Sequence, residues 1–440
     1  MFCKKKIFIF IWLFLLFFLS VDAFASFNEI KITASDAESG DFFGESVSIS
    51  NDYAVVGACY EDKTGSNAGS VYIFKRNGET WVEEAKIQGS DTIAGDWFGR
   101  SVSIDGDYVV VGCYLKDGRG AAYVFKRDGV NWIQQAKLTH SDSASGDSFG
   151  FSVSISGDYI VVSAFGKNDA GPYSGAAYVF KRSGETWAQQ AKLAPADLSE
   201  QNFFGRSVSI NGDYVIAGAH GQSNSSGAAY IFKRDGSTWT QEAKIMASDQ
   251  TSNDAFGRWV SLSGDFAAVS AIYDDDNGSN SGSAYIFKRN GTTWSQQAKV
   301  LASDGATQDN FGKRLAIKGN HLVVSAPGDD GEGDLYSSSG SIYLFEEDGQ
   351  AWTQVSKVTA SDAATGSIYS HSVAIDENYI IVGANQHDGP SMPDSGAAYI
   401  YKFQETNPTI TIVPDNTTPV IGDTICFDVN IADSNGLYSS

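Results

Sequence analysis

The phrase FGFSVSISGDYIVVSA, residues 149–164, returns in close variants seven times along the chain. It reads FGESVSIS from Phe43, FGRSVSID from Phe98, FGRSVSIN from Phe204, FGRWVSLS from Phe256, FGKRLAIK from Phe311 and, in altered form, YSHSVAID from Tyr369. Its glycines, Gly44, Gly99, Gly150, Gly205, Gly257 and Gly312, with Ser370 in the seventh copy, stand 55, 51, 55, 52, 55 and 58 residues apart. A period of this size belongs to solenoids, propellers and arrays, and it overrides any domain count drawn from a length of 440 residues.

Each copy holds four short stretches of strand character. In the second copy these are residues 101–104, 108–112, 121–127 and 132–138, with a turn at Gly106 and another at Asp128-Gly129. Period-two alternation marks the strands, and Asp-Gly supplies the positive φ of a tight hairpin. Seven four-stranded antiparallel units predict an all-β fold, a seven-bladed β-propeller. The serines of the first strand suit the crowded axis, and the polar Gln-Gln-Ala-Lys of the fourth suits an outer edge that must resist pairing. Trp81, Trp132, Trp187, Trp239, Trp294 and Trp352 open the fourth strand of six copies, placed to cover the sheet edge. The seventh copy breaks off after its third strand, near Phe403, while EIKITASD at residues 29–36 matches the fourth-strand EAKIQGSD at 84–91. One strand is missing at one end and one is spare at the other, so the N-terminal strand is expected to close the ring.

Ahead of the ring, Lys4-Lys5-Lys6, an apolar run over 7–19 and Ala23-Phe24-Ala25 have the three-part form of a signal peptide spanning 1–25. The run is short for a membrane span of ~20 residues. A secreted or cell-surface protein is expected, with the propeller over 26–404. From 405 to 440 the repeat is gone, and a linker leads into alternation like the opening of an immunoglobulin-like or cadherin-like β-sandwich. Such a domain needs ~100 residues, so further sandwich chain is expected after it. The formal net charge is −22, and losing Lys4, Lys5, Lys6 and Asp22 with the leader makes it about −24. That surface disfavours nucleic acid and anionic membranes and draws cations. Cys59 and Cys113 fall near the ends of equivalent strands, where two buried free thiols are expected over a disulfide.

The order FG, VSI, VVGA, GAAYVF resembles the FG-GAP repeat, the blade motif of the integrin α-subunit propeller, over residues 27–403. The third element of that name is matched by Gly57-Ala58-Cys59, Gly218-Ala219-His220 and Ser325-Ala326-Pro327. The resemblance implies a propeller that serves adhesion or extracellular binding. It also implies calcium loops of the form D-x-D-x-D-G-x-x-D between first and second strands. Here that connection is a bare turn, such as Ser156-Gly157-Asp158, so the calcium role is not carried to those positions.

Several residue sets could carry chemistry. Asp36, Asp91, Asp142, Asp197, Asp249, Asp304 and Asp362 precede the FG pair, followed five residues later by Asp41, Asp96, Asp147, Asp254 and Asp309 in five copies. They read as Ca²⁺ ligands or as Asx-turn residues, and sevenfold repetition favours the turns. Two loops between second and third strands are acidic. Asp274, Asp276, Asp330, Glu332 and Asp334 are their candidate metal ligands, but placing Gly278 at the sixth EF-hand position puts Tyr273 at the first. At most weak Ca²⁺ binding is expected, with no other cofactor. Arg100, Arg206, Arg258, Lys313 and His371 follow the FG pair and could form a basic collar at the axis, suited to a carboxylate or sulfate unless loop aspartates neutralise it. Lys-Arg pairs such as Lys126-Arg127 would ring the opposite rim. No P-loop, HExxH or paired CxxC motif occurs.

The expected function is non-enzymatic binding of an extracellular protein or glycan, with a polysaccharide lyase or hydrolase as the alternative. An enzyme should concentrate unusual residues in one blade, whereas here the departures are scattered. The loops at 60–68, 114–118, 165–174, 220–226, 272–281, 327–339 and 385–395 vary most and share a face with those before FG. Variable loops on a rigid scaffold usually carry binding. The leading contacts expected are Tyr173, Tyr273, Asp275, Asp329, Asp330 and Tyr336.

Overall fold

The computed structural model describes residues 28–330, 338–389 and 392–402, and beyond them the strands Thr409–Pro414, Phe427–Asp433 and Gly436–Tyr438. The leader expected over 1–25, Cys3 and Cys426 lie outside the described residues, as do Glu332, Asp334 and Tyr336. The chain forms two compact units, the larger being Asn28–Lys402.

That unit is seven four-stranded antiparallel sheets. Blade three shows the plan: Phe149–Ser156, Tyr159–Ala164, Ala176–Ser183 and Thr186–Leu193, paired in chain order. Its second strand, YIVVSA, is buried along its whole length because another blade packs on each face of the sheet. The fourth strand alternates toward solvent, as an outer strand should.

Two sequence features weld blade to blade. On the inner strands, serine hydroxyls bridge to the next blade: Ser103 Oγ accepts from Ile155 N at 3.2 Å, Ser154 Oγ from Ile210 N at 3.1 Å, and Ser101 Oγ donates to Gly150 O at 3.1 Å. The FG phenylalanine is fully buried, edge-on to the tyrosine of its own third strand, as in Phe149–Tyr178 at 5.9 Å. Its glycine, Gly150, has φ +90°, and a Cβ there would sit 2.3 Å from Ala121 O of the preceding blade. The motif is therefore a blade contact, and a side chain at Gly150 would push two blades apart.

The tryptophans lie deeper than an edge cover. Trp132 packs edge-on against Tyr53 at 5.6 Å, and Trp239 against Tyr159 at 6.0 Å, each reaching the aromatic residue that opens the second strand of the preceding blade. Their indole N–H groups donate to that blade's fourth strand, Trp187 to Gln135 and Trp239 to Gln190, both at 2.9 Å. The Gln-Gln pair thus serves the blade junction as well as the rim.

Closure occurs as the end-matching requires. Asn28–Ile32 pairs antiparallel with Ala397–Lys402, with Glu29 opposite Tyr401 and Ile32 opposite Ala398. Cys59 and Cys113 are buried free thiols. In the smaller unit the three C-terminal strands form one antiparallel sheet, with Ile412 paired to Val429.

Candidate binding site

The loops between second and third strands meet the loops before FG of the next blade on one face, here called upper: Trp97 N donates to Asn67 O at 3.2 Å and Phe98 N to Ala68 O at 2.9 Å. Beneath these loops the seven first-position aspartates are clamped alike. In each blade the third-strand tyrosine donates its hydroxyl to the aspartate at 2.6–2.9 Å. The lysine opposite that tyrosine on the fourth strand meets the other carboxylate oxygen at 2.5–2.9 Å. In blade seven the lysine is Lys31 of the closing strand. Burial pushes these carboxyls up, and the lysine and tyrosine more than reverse it, so Asp36, Asp91, Asp197, Asp249 and Asp362 lie below the ordinary range. The second aspartates bond the backbone three residues back, as Asp147 does with Ala144 N at 2.7 Å. The repeated carboxylates are framework.

The acidic loops are drawn into that framework. Asp274 and Asp329, 4% and 3% exposed, bond the clamp tyrosines and lysines of their blades. This corrects the expectation of Asp329 as a ligand contact, because its carboxylate faces Tyr343 and Lys357 rather than solvent. Lys299 lies 2.9 Å from Asp274, 2.6 Å from Asp276 and 2.8 Å from Asp249, so an ammonium already stands among the proposed metal ligands. Asp275 and Asp330 accept from Asn280 N and Ser338 N across their own loops at 2.8 and 2.7 Å. Among the described residues no group of three or more His, Cys, Asp or Glu side chains is arranged to hold a metal ion.

At the axis the picture inverts. Glu45 of blade one is buried and met by Arg100 at 3.0 Å, His371 at 3.3 Å and Asn385 Nδ2 at 2.8 Å. Burial would raise its pKa, but Arg100 and His371 hold it well below the usual range. Arg206, Arg258, Lys313 and Arg314 make no ion pair with a carboxylate among the described residues, though Arg314 also feels Glu45; this corrects the expectation that loop aspartates neutralise the collar. Burial, then Arg258 and Arg100, press on the charge of Arg206; burial, then Arg314, Arg258 and Arg206, bring Lys313 down to about 8.

Aromatic rings lead into this cluster from both sides. Phe42, Tyr60, Trp97, Tyr114, Phe151 and Phe165 run across blades one to three with successive centroids 4.6–5.7 Å apart. The run ends where Arg100 and Arg206 both lie over Phe151, at 4.9 and 5.0 Å. From blade three, exposed Tyr173 packs on Phe203 at 5.7 Å, Phe203 stacks on His220 at 5.0 Å, and His220 Nε2 meets Arg258 Nη1 at 3.1 Å. Tyr273, 38% exposed, lies beside Arg206 and Arg258. Of the tyrosines expected as contacts, Tyr173 is linked to Arg258 only through Phe203 and His220, while Tyr273 shares the field of Arg206 and Arg258.

Sequence reading named Arg100, Arg206, Arg258, Lys313 and His371 but favoured their pairing with loop aspartates, and it missed Trp259, Arg314, His220 and Asn385. The available signal was a broken rule. The residue two after the FG glycine is Ser46, Ser101, Ser152, Ser207 and Ser372 in five blades, and Trp259 and Arg314 in the other two.

These features define an all-β, seven-bladed propeller whose upper axial mouth is lined with aromatic rings and cations. A family model described as FG-GAP repeat matches residues 27–74, 81–125, 132–180, 187–232, 239–287, 294–345 and 352–401, and the chain belongs to that family. No curated protein matches the chain. Among the described residues no helix is long and apolar enough to cross a membrane.

Proposed function

We infer that this protein is a non-enzymatic binding module that acts outside the cell and recognises an extracellular glycan or protein across its upper face. The observation that carries this reading is the run of partly exposed aromatic rings converging on the axis from blades one to three. Rings held edge to edge by a rigid scaffold offer apolar area at little conformational cost, which suits sugar faces and protein side chains alike. The same rings on a domain with no partner would be an unexplained exposed patch.

The alternative, turnover of a polysaccharide, asks for a general acid and base of matched pKa near the bound chain. Glu45 is held ionised by Arg100 and His371, and the clamp aspartates are held by lysine and tyrosine, which favours binding over hydrolysis. The test is a glycan array and a cell-adhesion assay with the mature chain and two double variants, Tyr60→Ala/Trp97→Ala and Tyr173→Ala/Tyr273→Ala. Each variant is expected to lose about tenfold or more in binding while keeping its melting temperature. Adhesion that survived both variants but failed on replacing the lower-rim arginines would assign the wrong face.

A further inference from the structure

Five of seven blades place a serine two residues after the FG position, and it serves the inner-strand seam: Ser46 and Ser372 donate to Gly99 O and Gly44 O at 2.8 Å, and Ser207 accepts from Val260 N at 3.1 Å. Blades five and six abandon the rule side by side. Trp259 and Arg314 stand there instead, with the guanidinium 3.5 Å from the ring centroid. A repeat that gives up a seam contact in two adjacent blades to install a guanidinium on an indole is departing from its own fold for another purpose.

The neighbours deepen the anomaly. Arg206, Arg258 and Lys313 come from blades four, five and six and press on one another's charge. Arg314 donates to a backbone carbonyl, Lys313 O, at 3.2 Å and shares the field of the single carboxylate Glu45 with Arg100 and His371. Several buried polar atoms there have no hydrogen-bond partner: Arg206 Nε, Trp259 Nε1 and His220 Nδ1. His220 is only 8% exposed. An uncompensated cluster of cations in a recessed site is destabilising unless a counter-charge arrives.

We propose that this side of the axial funnel is an anion site, in which Arg206, Arg258, Lys313 and Arg314 receive the carboxylate or sulfate of an acidic sugar. The class follows from the surroundings. Arginines stacked on Phe151 and Trp259 present planar N–H edges to an oxyanion, and the adjoining rings suit the C–H face of a pyranose. The chain as a whole carries a net charge of −22, so the positive island is local. A long polyanion would be repelled beyond it; a single acidic residue, such as a chain end, would not. The inference rests on the upper-face reading above and specifies the ligand.

The test has two arms. In the first, sodium sulfate replaces chloride at constant ionic strength. It should raise the melting temperature of the wild type and leave Arg206→Gln/Arg258→Gln unmoved. An equal rise in both would be general salting and would overturn the site. In the second, an array pairs glucuronate-, sialate- and sulfate-ended glycans with neutral counterparts. The wild type should prefer the acidic members at least about tenfold, and Trp259→Ser/Arg314→Ser, which restores the serines of the other blades, should lose the preference while melting no lower. Neutral and acidic glycans bound equally by the wild type would keep the upper-face reading and sink the anion site. Acidic peptides bound in place of glycans would overturn the ligand class, and no acidic binding at all would overturn the proposal.

Discussion

The two rims of the propeller are built from the same seven repeats yet differ in how they treat charge. On the lower rim every repeated arginine is answered locally. Arg76 meets Asp52 at 2.5 Å, and Arg127, Arg182, Arg234 and Arg289 pair with Asp107, Asp158, Asp213 and Asp265 in the same way. The backbone N–H of each arginine also bonds the carbonyl of its aspartate at 2.8 Å. The guanidinium then lies over the aromatic residue opening the second strand of a neighbouring blade, as Arg234 does over Tyr159 at 4.5 Å. The basic ring expected there from the Lys-Arg pairs is largely neutralised, since Lys75, Lys126, Lys233 and Lys288 also lie 3.5–3.8 Å from a glutamate. Around the upper axis, by contrast, Arg206, Arg258, Lys313 and Arg314 make no ion pair with a carboxylate among the described residues, while under the upper loops Asp41 and Asp309 make none with a cation among them. A cation answered by the same partner in copy after copy marks a face that holds the fold together; cations left without one mark a face that does something else.

The largest effect should come from attacking what both rims share. Removal of residues 28–35 takes away the strand paired with Ala397–Lys402, the Lys31 clamp on Asp362 and the Glu29 contact with Ser361. The expected loss exceeds about 4 kcal/mol, an exceptional value for a local change, with aggregation through the exposed edge. Thermal melting followed by light scattering reads both, and an unchanged melting temperature would contradict the closure.

How much of this contrast is legible in the sequence depends on whether a feature repeats. The blades, the FG contact and the closing strand can all be read from periodicity, because each copy checks the others. The clamp was half legible: its aspartates recur seven times, as do the tyrosine of AAY and the lysine of AK, but only folding joins Asp142 to Tyr178 and Lys192. The axial cluster was least legible. His220, Trp259 and Arg314 belong to blades four, five and six, and each looks like an isolated lapse until the ring brings them to one axis. For the same reason, departures that look scattered along the chain, and so argue against an enzyme, lie together in space.

A smaller effect should expose the carboxylates that lack cations. Burial first, then Glu61 and Glu38, push Asp41 up to about 6; burial, then Asp329 and Asp330, do the same to Asp309. The folded pKa lies above the ordinary carboxyl value of about 4. The folded state therefore holds the proton more tightly between roughly pH 4 and 6, and stability falls as pH rises through that window. Blade four already carries the remedy, since Asn202 Oδ1 accepts from Ser199 N at 2.9 Å where five other blades use aspartate. Asp41→Asn and Asp309→Asn should each gain about 1–2 kcal/mol at pH 7 and nothing at pH 4. Denaturant unfolding at the two pH values decides it; a gain equal at both would mean that charge is not the cause.

Smaller still is the effect expected on the lower rim. Arg182→Gln removes an exposed ion pair with Asp158 and a stack over Tyr108 at 4.6 Å. Exposed pairs contribute roughly 0.2–1 kcal/mol, so stability should fall by less than about 1 kcal/mol and glycan or protein binding should not change. Lost binding in a stably folded Arg182→Gln protein would erase the distinction between the rims.

The smallest effect should be that of calcium, and it tests whether the upper carboxylates are free or spoken for. Lys299 is ringed by Asp249, Asp274 and Asp276, all within 2.9 Å. Calcium could enter only by displacing that ammonium, which is held firmly because the three carboxylates raise its pKa against the opposing effect of burial. Millimolar calcium, the range of weak extracellular sites, should therefore shift the wild-type melting temperature by less than about 1 °C. Lys299→Met leaves three carboxylates crowded around an apolar chain. That variant should melt lower in chelator and recover when calcium is added, because the cation restores the missing charge. Calorimetry showing micromolar calcium sites in the wild type would mean that the lysines yield, and that the upper rim is a metal face rather than one whose carboxylates are already paired.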